Sequence, residues 1–81
     1  MYDSQKIADR IRERAKEQGK TLRELLSECR LSINTISHIG NGGDITTLHF
    51  ARIADSLECS VDYLIGRTDN PEVNREPPRQ D

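Results

Sequence analysis

Apolar residues near the start of the chain recur at helical spacing. Ile7, Ile11 and Ala15 stand four apart, Ala8 widens the stripe, and Arg10, Glu13, Arg14 and Glu17 cover the other sides. The pattern predicts a first helix from about Ser4 to Gln18, capped by Ser4 and ended by Gly19. Thr21-Leu22-Arg23-Glu24 then has capping-box spacing, with each side chain placed to satisfy a backbone donor of the other. It predicts a short second helix facing inward through Leu22, Leu25, Leu26 and Cys29. Ile33, Ile36 and Ile39 mark a third helix behind a Ser32 cap, broken by Gly40-Asn41-Gly42-Gly43. Its β-branched residues are weak helix formers, so packing must hold it. A fourth helix follows from about Thr47 to Glu58, capped by Thr46, with Phe50, Ala51, Ile53, Ala54 and Leu57 inward. Ser60 opens a last short helix containing Val61, Tyr63, Leu64 and Ile65, closed by Gly66. No segment alternates with period two, so no strand is expected.

Length and composition limit what these elements can build. Eighty-one residues, 33% of them hydrophobic, allow one small domain with a modest aliphatic core. The expectation is a compact all-α five-helix domain over residues 1–66. A disordered polar tail is expected over 67–81, where Pro71, Pro77 and Pro78 stand among polar side chains. No apolar run is long enough for a membrane helix, and the first residues lack a secretory leader, so no membrane partner and a cytoplasmic location are expected. Cys29 and Cys59 lie inside apolar patterns and read as small core residues, with a disulfide as the other reading. His38 and His49 lack acidic or cysteine neighbours at ligand spacing, so neither a metal nor another cofactor is expected. Ser27, Ser32, Ser37 and the histidines form no nucleophile–base–orienter set at helical spacing, which argues against an enzyme.

Charge is unevenly distributed. Residues 1–43 carry eight basic against six acidic side chains, whereas 44–66 set Arg52 alone against Asp44, Asp55, Glu58 and Asp62. An anionic partner should meet the first half. Arg10, Arg12, Arg14 and Lys16 are candidates there, Arg14 foremost, although interleaved acids also fit a solvated helix face.

The second and third helices, joined only by Arg30-Leu31-Ser32, match a helix-turn-helix. Three runs carry a wider likeness: Lys20 to Leu26, Leu31 to Ser37, and Asn41-Gly42. With Ile53 to Leu57 and Cys59 to Leu64 they resemble, in order and spacing, the phage repressor and Cro family, often called XRE-type. The resemblance covers roughly residues 5–66. It implies a repressor-like domain that binds double-stranded DNA, commonly as a homodimer, and regulates transcription.

It further implies that Ser32, Ile33, Asn34, Thr35 and His38 line the groove-facing side of the third helix. Asn34 would pair with adenine, Ile33 would meet a thymine methyl, and His38 would reach a base or a phosphate. Thr35, Ser37 and Asn41 would donate to phosphates, and Thr21 and Arg23 would approach the backbone at the start of the second helix. Core placement beside Ile36 and Ile39 is the other reading of Ile33, and plain solvent exposure that of Asn34. Tyr63 or Ile65 would form a two-fold contact, or all of Val61, Tyr63, Leu64 and Ile65 would complete the monomer core. A protein-interaction module on the same fold, such as an antitoxin or antirepressor partner, is the alternative function that the acidic balance favours.

Overall fold

The structure, a computed structural model, describes residues 2–72. Five helices form among them: α1 (Ser4–Glu17), α2 (Leu22–Glu28), α3 (Thr35–Gly40), α4 (Thr47–Ser56) and α5 (Val61–Ile65). Among the described residues there is no strand, and the domain is all-α as expected. No helix there is long and apolar enough to cross a membrane.

The core grows from the stripes the sequence displays. Ala8, Ile11 and Ala15 of α1 are buried, and α1 packs on α3, α5 and α2. Leu25 and Leu26 enter from α2, Ile36 and Ile39 from α3, Ile53, Ala54 and Leu57 from α4 and its cap, and Leu64 from α5. Phe50 and Ala51 are only half-buried. Cys29 and Cys59 are both buried and free, so the thiols serve as small core residues and no disulfide joins them. Tyr63 and Leu64 also belong to this core, which leaves Val61 and Ile65 as the more accessible apolar positions of α5.

Helix starts follow local capping chemistry. Thr46 and Ser60 accept the backbone N–H groups of His49 and Tyr63, as their positions suggested. At α1 the cap is Asp3 rather than Ser4, because the Asp3 carboxylate accepts two orphan donors, Gln5 N–H at 2.9 Å and Lys6 N–H at 3.3 Å. Ser4 becomes the first helical residue.

Helix ends share one device. After each helix a residue takes left-handed backbone geometry: Gly19, Arg30, Gly42, Glu58 and Gly66. The next N–H then bonds back to a carbonyl five residues earlier, as in Lys20 to Ala15 and Leu31 to Leu26, both at 2.8 Å. Sharp reversals of this kind let five short helices fold within so few residues. Arg30 (φ 58°) and Glu58 (φ 53°) adopt this geometry despite carrying a Cβ.

Three basic side chains complete the helix ends from across the fold. Arg14 donates through Nε to the Leu57 carbonyl and through Nη2 to the Glu58 carbonyl, each at 3.0 Å. Lys20 donates to the Ser56 carbonyl at 2.7 Å and pairs with Glu28 at 2.9 Å. Hydrogen bonds from the Ser56 hydroxyl and then Lys20 hold the Glu28 carboxyl below its ordinary range. Arg10 donates to the carbonyls of Tyr63 (2.9 Å) and Thr68 (2.7 Å), binds Asp69, and stacks 4.5 Å above the Tyr63 ring.

That last contact changes the expected tail boundary. Residues 67–72, which composition assigned to the tail, fold back: Arg10 holds Thr68 and Asp69, and Ser60 N–H donates to the Pro71 carbonyl at 3.0 Å. The rest of the expected tail, 73–81, lies outside the described residues.

Two stability changes are expected. Arg14→Ala leaves the Leu57 and Glu58 carbonyls just after α4 without their charged donor and should cost about 1–3 kcal/mol in denaturant unfolding. Arg30→Gly relieves left-handed strain and should raise stability by about 0.5–1 kcal/mol in the same assay.

Candidate nucleic-acid interface

The capping box at the start of α2 is complete. Thr21 Oγ1 accepts Glu24 N–H at 3.1 Å, and the Glu24 carboxylate accepts Thr21 N–H at 3.2 Å. The Thr21 hydroxyl hydrogen stays available to donate outward. Arg23, next in sequence, is exposed and makes no ion pair among the described residues.

Between α2 and α3 the chain turns through left-handed Arg30, and Leu31 tucks partly into the core. Ser32 is not the cap of α3. Its hydroxyl accepts Asn34 N–H at 3.2 Å and its carbonyl accepts Thr35 N–H at 3.0 Å, which closes a local turn. The helix therefore starts at Thr35, with Asn34 as a cap whose side chain makes no capping bond. Ile33 falls in the turn, off the Ile36/Ile39 stripe, and is 59% exposed. Its core reading is thereby excluded.

Ser32, Asn34, Thr35 and His38 form one wall of an open hollow of about 390 Å³, with Asp44, Ile45 and His49 opposite. The opposite wall comes from the α3–α4 connection and the first turn of α4, which sequence reasoning left out of the site. His49 follows the Thr46 cap by three residues, and that spacing was the available signal. Ser37 and Asn41 are exposed on and just after α3 but do not line the hollow.

Arg14 does not belong with these residues. Its side chain is 16% exposed and its guanidinium spans the end of α4, where it serves as a structural cap away from the hollow. Arg10 and Lys20 are engaged in the same way. The positive balance of residues 1–43 is thus partly spent inside the domain. Arg23 and the exposed Arg30 are the basic side chains that flank the α2–α3 turn.

His38 leans against the loop that follows α3. Its Nε2 is 3.0 Å from the Asp44 carbonyl oxygen. The two adjacent glycines of this loop do different jobs. Gly42 supplies the left-handed turn at φ 87°, whereas a Cβ on Gly43 would overlap the His38 imidazole. The missing Cβ at Gly43 leaves the space that the ring occupies.

Gly43→Ala should accordingly expel the ring and break its bond to Asp44, at a cost on the order of 1 kcal/mol. Imidazole proton and nitrogen resonances would report it, and an unchanged His38 spectrum would contradict the packing. Compared with known families and curated proteins, the chain matches no family model and no curated protein.

Proposed function

We propose that this protein is a sequence-specific DNA-binding regulator, a repressor, that reads the major groove with the residues leading into and along α3. The observation that carries the proposal is the pairing of Ile33 and Asn34. An isoleucine 59% exposed beside a carboxamide that makes no side-chain capping bond has no role in the fold. In the turn and cap that lead into a short helix, an aliphatic side chain and a carboxamide are groups that can meet a thymine methyl and an adenine N6/N7 edge. Ser32, Thr35 and His38 line the same hollow as Asn34, and Ser37, Asn41, Thr21 and Arg23 stand exposed as donors to the DNA backbone.

The protein acts in the cytoplasm as a homodimer, because one short helix reads only a few base pairs and two-fold pairing places a second in the next major groove. Val61 and Ile65 remain accessible enough on α5 to contribute to such a contact. Few free basic side chains border the site, so binding has a shallow salt dependence and relies on the second half-site.

The exposed Asp44, which lines the same hollow, favours a second reading as a protein-interaction module of the antitoxin or antirepressor kind. Selection from a random duplex library by folded protein separates the two. A palindromic site with half-sites about one helical turn apart supports the regulator; no enrichment supports the module. Asn34→Ala should cost about 1–3 kcal/mol on the selected site and relax preference at one base pair. Arg23→Ala should weaken all sequences alike and lower the salt slope by about one. Equal losses for Asn34→Ala on selected and random DNA would remove it from the base-reading set.

A further inference from the structure

His38 stands one helical turn beyond Asn34 and lines the same hollow. A carbonyl oxygen only accepts, so the 3.0 Å contact with Asp44 places the ring hydrogen on Nε2. In the neutral imidazole the lone pair is then on Nδ1. That atom has no hydrogen-bond partner among the described residues, and the side chain is exposed. Gly43 leaves the room that this orientation needs.

Resting on the DNA reading above, we infer that His38 is a specificity-determining residue that acts as a hydrogen-bond acceptor, with Asp44 and Gly43 as its positioning residues. Its target is the exocyclic amine of an adenine or a cytosine. Adenine N6 and cytosine N4 are the donors of the major groove, whereas guanine presents N7 and O6 and thymine presents O4. A bare Nδ1 gains a bond from the first pair and opposes lone pair to lone pair with the second. Asn34 differs because its carboxamide both donates and accepts. The two side chains therefore ask different questions of neighbouring bases.

Two experiments test this. Nitrogen NMR of the free protein in mildly alkaline buffer should show Nε2 protonated and Nδ1 bare; the opposite tautomer would overturn the assignment. Library selection with wild type and with His38→Ala then identifies the base pair whose preference depends on His38. At that pair, purine in place of adenine, or 2-pyrimidinone in place of cytosine, deletes only the amine. Wild type should bind the altered site about tenfold more weakly, and His38→Ala should bind both sites equally. A 7-deaza purine in the same pair should change nothing. Sensitivity to the 7-deaza analogue without sensitivity to amine deletion would make His38 a donor and sink the inference. Unchanged base preference in His38→Ala would also sink it while leaving the DNA reading intact. A wild type that selects no sequence removes the DNA reading, and this inference with it.

Discussion

The guanidinium groups of Arg10 and Arg14 hold the arrangement together in a way apolar burial alone does not. Both project from α1, whose apolar stripe of Ala8, Ile11 and Ala15 lies at the centre of the packing. Arg14 closes the carbonyl end of α4, and Arg10 closes that of α5. Helices of five to ten residues have little stability of their own. Their terminal carbonyls need partners, and here one central helix supplies charged donors to two of them. Burial fixes which faces meet, and these bonds fix where α4 and α5 end against α1.

The same use of charge bears on the surface. A positive first half suggests an anionic partner when the sequence is counted residue by residue. Once Arg10, Arg14 and Lys20 turn inward, part of that positive charge belongs to helix capping. Around α3 there remain Arg23 and Arg30 at the preceding turn, the exposed Ile33, and a hollow lined by the Asn34 carboxamide, the His38 and His49 imidazoles and Asp44. Under the proposed DNA reading, such a surface would discriminate by contact geometry more than by long-range attraction.

Local signals were legible in the sequence, and distant ones were not. The Thr21–Glu24 box formed as read because both partners lie within one turn. The buried stripe of α1 followed from periodicity alone. The α1 cap slipped by one residue because Asp3 and Ser4 are both good caps, and only geometry decides between them. Ile33 shared a three-residue interval with Ile36 and Ile39, but the Ser32 turn delays the helix and takes Ile33 off that face. The role of Arg14 depends on carbonyls more than forty residues away, and that of Arg10 on carbonyls more than fifty away, which no spacing rule reaches. Gly43 reads in the sequence as one more helix breaker, because its closeness to the His38 ring exists only in the fold.

The two buried thiols have a consequence of their own. Cys29 closes α2 just before the turn into α3, and Cys59 stands between α4 and α5. Burial pushes both thiols above their ordinary ionisation range, so the reactive thiolate is scarce while the core is closed. Each becomes open to electrophiles only when its own junction separates. The chain thus carries two internal gauges of breathing motion, one at the α2–α3 junction and one at the α4–α5 junction.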